Sequence, residues 1–158
     1  MSEQFAEIHT DGSCHTQNRI GAWVAIILIG TEKKVISAIV QDTTHNRMEL
    51  LAVIKGIEYI KKNYAAINTI KLFSDSQYVI GLRDREKKLT AMDFSTKKGT
   101  GIQNADLVKE LLALFSTSRI ELTKVKAHQK KTGTINYNIE ADKLSRKMVR
   151  EASNTVNH

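Results

Sequence analysis

Three acidic residues stand where their carboxylates could act together on a bound cation. Asp11 and Asp75 each close a short stretch with strand character, and Glu49 lies in the first turn of a predicted helix. Taken singly, Asp11 is typical of a turn and Asp75 of a helix N-cap, because aspartate satisfies local backbone N–H groups at both positions. Glu49 lies beside the helix face that must pack on a sheet, where a solvated glutamate is not expected. This placement favours a shared site.

A cluster of these carboxylates would need a cation, because uncompensated negative charges at close range raise one another's pKa. An all-oxygen ligand set favours Mg²⁺ or Mn²⁺, and a few carboxylates far apart in sequence suit magnesium better than a calcium cage. In a basic protein such a cluster favours phosphodiester chemistry, in which metal ions activate water and stabilise the leaving oxygen.

The apolar pattern predicts the elements that would hold these residues. Residues 4–11, 22–29 and 35–40 are predicted to be three antiparallel strands joined by short turns. A helix over 46–62, with apolar residues at helical spacing, precedes a fourth strand at 69–74. Asp11 is then expected to end the first strand and Asp75 the fourth, at corresponding edges of the sheet.

The second half of the chain continues the alternation of helix and strand. A helix over 76–84, capped by Asp75 or Ser76, is followed by a helix at 105–115, a strand at 119–125 and a last helix at about 138–151. Strands separated by helices are usually parallel. We therefore expect an α/β fold with a five-stranded mixed sheet, three antiparallel strands then parallel strands, flanked by helices.

Length and composition narrow the class of protein. A chain of 158 residues suits one domain, expected over residues 1–158. The single cysteine, Cys14, excludes an internal disulfide and a CxxC zinc site. No apolar run approaches the roughly 18 residues of a membrane span, and no signal-peptide pattern is present, so we expect a cytoplasmic protein. The net charge of +7 fits a polyanionic partner or merely a soluble basic protein.

Five sequence blocks carry a resemblance to a known family. TDGSC at 10–14, TTHNRMELLA at 43–52 and SDSQYV at 74–79 are similar to the signature blocks of type 1 ribonuclease H. KVKAHQ at 124–129 and NIEADKLSRK at 138–147 follow in the family's order. The resemblance covers nearly the whole chain and implies a ribonuclease H-like fold, whether of a cellular ribonuclease HI or of a reverse-transcriptase domain.

The resemblance also implies catalytic residues. In the family four carboxylates ligate two divalent metal ions, and the matching positions are Asp11, Glu49, Asp75 and Asp142. The residues alone would make Asp142 a helix-surface aspartate paired with Arg146 at i+4. His128 matches a histidine that assists proton movement or product release, although an isolated loop histidine is more often a surface residue or a substrate contact.

Substrate contacts follow from the same resemblance. RNA is expected to be distinguished through its 2′-hydroxyls, and the matching positions are Cys14, Asn46 and Gln77. Thr44 is expected to contact a DNA phosphate. The charged segment at residues 83–101 is expected to line a channel for the DNA strand, and a solvated helix face is the alternative. The basic residues expected to line the channel are Lys87, Lys88, Lys97 and Lys98. His45 stands where the family usually has asparagine.

We therefore expect an endonuclease that hydrolyses the RNA strand of an RNA–DNA hybrid and leaves 3′-hydroxyl and 5′-phosphate ends. Two Mg²⁺ ions per site are implied, with Mn²⁺ as a possible substitute. The expected partner is the hybrid duplex, bound by a monomer without membrane contact, and a polymerase partner stays open. The alternatives are a noncatalytic hybrid-binding module, disfavoured by the intact carboxylates, and an integrase or resolvase type of nuclease, disfavoured by the Asn-Arg-Met-Glu and Asp-Ser-Gln blocks.

Overall fold

A mixed sheet forms the centre of the computed structural model, which describes residues 4–126 and 136–156. Its strands are β1 (Phe5–His15), β2 (Ile20–Ile29), β3 (Glu32–Val40), β4 (Thr69–Ser74) and β5 (Arg119–Lys124). They lie in the order β3-β2-β1-β4-β5. The first three pair antiparallel, and β4 and β5 are parallel to β1. The predicted arrangement of the sheet is confirmed.

Helices cover both faces of this sheet. They are α1 (His45–Asn63), α2 (Gln77–Ile80), α3 (Leu82–Ala91), α4 (Ala105–Thr117) and α5 (Tyr137–Val156). Alternate residues of β2 take part in different cores: Ala25 and Ile27 pack with α1 and α4, whereas Val24 and Ile26 pack with α5. Because both faces of β2 are covered, its sequence is an almost unbroken apolar run.

The helix stripes predicted from sequence form the main core. Every apolar residue of the predicted α1 stripe is buried: Leu50, Val53, Ile54, Ile57 and Ile60. Five apolar residues of α4 are buried with them: Leu107, Val108, Leu111, Leu112 and Phe115. At Gly56 a Cβ would lie 3.0 Å from the Ile8 side chain, so the glycine lets α1 lie close to β1.

Several predicted element boundaries are wrong. Asp11 does not end β1, since its ladder with β2 continues through the pair His15↔Ile20. β3 begins at Glu32, not at residue 35, because its ladder with β2 extends to Ile29↔Glu32. α5 is longer than the predicted 138–151. In each case long-range pairing or packing extends the element beyond its locally patterned part.

The single helix predicted after Asp75 is divided in the structure. α2 ends at Ile80, and α3 begins at Leu82, its buried residue, and continues into the charged segment beyond the predicted end. The apolar pattern of α3 is weak because its other residues are partly or fully exposed. Across residues 4–126 and 136–156, no helix combines the length and apolarity that a membrane span requires.

Candidate metal and substrate site

Asp11 and Asp75 lie at the same level of two neighbouring parallel strands. The last register pair of β1 and β4 is His9↔Phe73, and each aspartate stands two residues after it. Ser76, not Asp75, caps α2, since its Oγ accepts the Val79 backbone N–H at 3.2 Å. The Asp75 carboxylate is therefore not the cap of this helix.

Glu49 reaches the two aspartates because α1 approaches β1 with no side chain between them. A Cβ at Gly12 would lie 2.7 Å from the Glu49 backbone nitrogen and 2.7 Å from the Met48 carbonyl carbon. Gly12 is thus required by close packing inside a strand, not by the turn that its sequence context predicts.

The three side chains form one cluster. One carboxylate oxygen from each of Asp11, Glu49 and Asp75 lies within 4.8 Å of the others. Asp11 is 4% exposed and Glu49 2%. Three buried or half-buried carboxylates at this separation carry more negative charge than the protein interior tolerates without protons or a cation.

Asp142 is brought to the same place by α5. Asn136 caps this helix, because its Oδ1 accepts the backbone N–H groups of Asn138 at 3.0 Å and Ile139 at 3.2 Å. Six residues after this cap, Asp142 lines a cavity of about 830 Å³ together with Asp11, Glu49 and Asp75. We call this the site cavity.

Two further contacts hold α5 against β1. The wholly buried Ser145 hydroxyl lies 2.8 Å from the Ser13 hydroxyl and 3.5 Å from Oδ2 of Asp11. Arg146 Nη1 lies 3.4 Å from Oδ2 of Asp142, which is the i+4 pair that the sequence predicts. Asp142 therefore both pairs on its own helix and faces the cluster.

The electrostatics of the cluster favour a positive partner. Burial, followed by the charges of Glu49 and Asp75, raises the pKa of Asp11 to about 9. Burial also raises the pKa of Glu49, against the opposing hydrogen bond from His45. With its pKa at about 9, Asp11 holds a proton at neutral pH unless a cation replaces it.

The donor set fits a small divalent cation. Every group in the cluster is a carboxylate oxygen, the kind of ligand that Mg²⁺ and Mn²⁺ prefer. Glu49 Oε2 is buried and has no hydrogen-bond partner among the described residues. The second oxygen, Oε1, lies 3.2 Å from Nε2 of His45. Glu49 thus has one oxygen engaged and one available for a metal ion.

His45 has a position that the sequence did not predict. It lies in the first turn of α1, and its hydrogen bond with Glu49 raises the pKa of the imidazole, although burial opposes this. The i, i+4 spacing of His45 and Glu49 was the sequence signal that could have predicted this contact.

The structure brings together some of the predicted substrate residues and separates others. Cys14, Asn46 and Gln77 line the site cavity beside the carboxylates. Thr44 is the N-cap of α1, accepting the Arg47 backbone N–H at 3.3 Å. The remaining predicted contacts are exposed on α3 and on the turn after it and do not line the cavity: Lys87, Lys88, Lys97 and Lys98. His128 lies outside the described residues.

Sequence reasoning also missed the ion pair that fixes the start of α1. Arg47 donates to both carboxylate oxygens of Asp106, at 3.1 and 2.7 Å, and so joins α1 to the first turn of α4. The pairing lowers the pKa of Asp106. The available signal was an acidic residue at a helix N-terminus, which is too common to indicate a partner.

Comparison with known proteins gives consistent similarities. The family model described as RNase H matches residues 3–150. A ribonuclease H of Wolbachia sp. subsp. Drosophila simulans is 36% identical over 153 residues, covering 96% of this chain and 100% of that protein. A ribonuclease H of Thermoanaerobacter sp. (strain X514) is 34% identical over 146 residues, covering 91% of this chain and 89% of that protein.

Solved structures share the fold. The crystal structure of LC9-RNase H1, described as a type 1 RNase H with the type 2 active-site motif, superposes with a TM-score of 0.78 at 18% identity, over 96% of this chain and 74% of that one. The N-terminal RNase H domain of a Mycobacterium tuberculosis protein, fused to maltose-binding protein, gives a TM-score of 0.69 at 17% identity, over 98% and 99%.

Proposed function

Since the chain belongs to the ribonuclease H family, we propose that it hydrolyses the RNA strand of RNA–DNA hybrids with two divalent metal ions held by four carboxylates. The proposed ligands are Asp11, Glu49, Asp75 and Asp142. The observation that carries this proposal is the meeting of three of these carboxylates within 4.8 Å beside a cavity that the fourth also lines. Family membership makes the chain a divalent-metal-dependent ribonuclease H; the choice of Mg²⁺ is our proposal.

The residues of the cluster have different proposed roles. When bound, the metal ions would supply the Lewis acidity that activates water and stabilises the leaving oxygen. Asp11 and Asp75 would act as neighbouring ligands, because the parallel strands β1 and β4 place them side by side. Glu49 offers Oε2 while His45 holds Oε1. In-line attack by water on the phosphorus would break its bond to the 3′ oxygen and so leave 3′-hydroxyl and 5′-phosphate ends.

Selection of RNA is assigned to the part of the site cavity beside the carboxylates. Cys14, Asn46 and Gln77 line it and present groups that can pair with 2′-hydroxyls of the strand being cut. Burial raises the pKa of the Cys14 thiol, which favours its protonated form. The thiol lies 3.5 Å from the Thr43 carbonyl, and it would turn from this weak contact to donate to a hydroxyl oxygen of the RNA.

The DNA strand is assigned to residues outside the cavity. The Thr44 hydroxyl accepts from Arg47 and retains its own hydrogen for a DNA phosphate. The exposed Lys87, Lys88, Lys97 and Lys98 would add charge along the duplex. We further propose that His128 assists proton movement or product release, and that the chain acts as one domain and as a monomer.

One assay tests the proposal. Labelled RNA–DNA hybrid, single-stranded RNA, duplex RNA and duplex DNA are each incubated with the protein and Mg²⁺, with Asp75→Asn as the matched control. Cleavage restricted to the RNA of the hybrid, with 5′-phosphate products and no activity in the control, is the expected result. Binding of the hybrid without cleavage by the parent would instead support a noncatalytic binding module.

A further inference from the structure

The site cavity extends beyond the carboxylates along α5. Besides Asp142 and Arg146, its lining includes Val149, Arg150 and Ser153. Arg146, Arg150 and Ser153 are spaced i, i+4 and i+7, so they share one face of the helix. The proposed function uses only the end of the cavity at the carboxylates and leaves this second part without a role.

Two features of this second part favour an anionic ligand. Arg150 is exposed and forms no ion pair within residues 4–126 and 136–156. Ser153 is 4% exposed, and its hydroxyl has no hydrogen-bond partner among the described residues. A buried unpaired hydroxyl is unfavourable unless a ligand completes it.

The other serine of α5 has hydrogen-bond partners that Ser153 lacks in the part of the chain that the structure describes. Ser145, two turns earlier on the same helix, is also buried, but it pairs with the Ser13 hydroxyl at 2.8 Å and with the Asp142 carbonyl at 3.1 Å. Arg146 likewise has a partner in Asp142. Arg150 and Ser153 are therefore two groups along this wall whose donors are uncommitted within the described part of the chain.

We propose that Arg150 and Ser153 form a subsite for one backbone phosphate of the RNA strand, a few nucleotides from the bond that is cut. The proposal rests on the proposed function. Arg150 follows Asp142 by eight residues, about 12 Å along the helix axis, and a strand advances about 3.4 Å per nucleotide. The strand cut at the carboxylates is the one whose backbone continues along the same cavity, which favours RNA over DNA.

The first test measures binding without catalysis. Affinity for a labelled hybrid is determined in EDTA for the parent, for Arg150→Gln and for Lys147→Gln. Lys147 is exposed on the same helix, does not line the cavity and carries the same charge. We expect Arg150→Gln to bind about three- to tenfold more weakly than Lys147→Gln. The slope of log affinity against log salt should fall by about 0.9, the change that removal of one phosphate contact produces.

Ser153→Ala separates ligand binding from structure. Removing an unpaired buried hydroxyl should leave the thermal midpoint unchanged or higher, yet binding of the hybrid should weaken. Weaker binding together with unreduced stability is the combination that a structural serine would not produce. Parent-like affinity in this variant would remove Ser153 from the subsite.

The second test locates the phosphate. Hybrids carrying one neutral 2′-deoxy methylphosphonate linkage at successive positions are bound by the parent and by Arg150→Gln. At one RNA-strand position the neutral linkage should weaken binding by the parent and leave Arg150→Gln unaffected. A response confined to the DNA strand, or no difference between Arg150→Gln and Lys147→Gln, overturns the subsite. A parent that neither binds nor cleaves the hybrid overturns the proposed function itself.

Discussion

His9 of β1 is joined to Asn138 in the first turn of α5 by a hydrogen bond of 2.5 Å between Nδ1 and Oδ1. Asn138 Nδ2 in turn donates to the Phe73 carbonyl at 3.1 Å, and the His9 ring stacks on Phe73 with centroids 4.6 Å apart. Because the amide of Asn138 donates to a carbonyl, its oxygen must accept from His9. This contact holds α5 one turn before Asp142, so it positions the fourth carboxylate.

We expect His9→Phe to weaken that positioning. Phenylalanine can keep the stacking on Phe73 but leaves the half-buried Asn138 oxygen without its donor, which should lower the free energy of unfolding by about 1–3 kcal/mol. Urea unfolding measures this decrease, and calorimetric titration with Mn²⁺ should show weaker binding. His9→Asn, which restores a donor, should recover part of the metal affinity; equal affinity in all three proteins would contradict the role of this contact.

Asp11→Asn and Asp75→Asn should each abolish hydrolysis and leave the fold intact. A neutral amide removes charge needed to hold metal ions and relieves repulsion within the cluster, so stability without metal should hold or rise. Hybrid cleavage and thermal unfolding are measured on the same purified proteins. Turnover near the parent's rate in either folded variant would exclude that residue as an essential ligand.

The metal-free protein should lose stability as pH rises. The pKa of Asp11 is raised from 3.8 to about 9 in the folded state, so the folded protein binds the proton more tightly than the unfolded chain does. That contribution is fully present below about pH 4 and is lost as pH rises through about 9. Urea unfolding in EDTA across this range should show that the free energy of unfolding decreases as pH rises. The decrease should be smaller in Asp11→Asn, and added Mg²⁺ should oppose it in the parent. A contribution of Asp11 to the free energy of unfolding that increases with pH would contradict the raised pKa.

Gly12→Ala should damage both stability and activity. Its Cβ would lie 2.7 Å from backbone atoms of Met48 and Glu49, so α1 must move away from β1 and carry the Glu49 carboxylate with it. Overpacking of this kind costs about 1–3 kcal/mol. Gly101→Ala, where a Cβ has no neighbour within 4 Å, is the control. Parent-like unfolding and turnover in Gly12→Ala would show that the close approach is not required.

The lysines of the charged segment should contribute affinity and not chemistry. Alanine at Lys87, Lys88, Lys97 and Lys98 should raise KM and change kcat little. The salt dependence of log affinity should flatten by roughly 0.9 for each phosphate that the protein no longer neutralises. Arg83 and Arg85 are left unchanged because their guanidinium groups pack over Phe115 at 4.7 Å and Tyr78 at 5.3 Å.

Alanine at Lys61 and Lys62, in the last turn of α1, controls for the change in net charge. Per charge removed, this control should affect KM and the salt slope much less than the four substitutions in the charged segment do. A quadruple variant that keeps the parent's KM and slope would show that the segment does not contact the substrate.

The order of strands and helices and the acidic residues of the cluster could be predicted from the amino-acid sequence. The apolar spacing of α1 and the β-branched run of β2 depend on neighbours within a few residues, which short-range patterns contain. Family motifs located Asp142, which helix periodicity alone would have left as a surface aspartate. The helices and strands can be predicted from local patterns, and Asp142 from a family resemblance that extends over almost the whole chain.

The way these parts meet depends on tertiary contacts that the sequence patterns do not contain. Gly12 is a glycine because the backbone at Met48 and Glu49 lies against it, and Asp11 lies inside a strand because β2 continues the ladder beside it. His9 and Asn138 are 129 positions apart. No short sequence window contains both partners of such a contact, and polar side chains acquire definite roles only when packing determines which donor meets which acceptor.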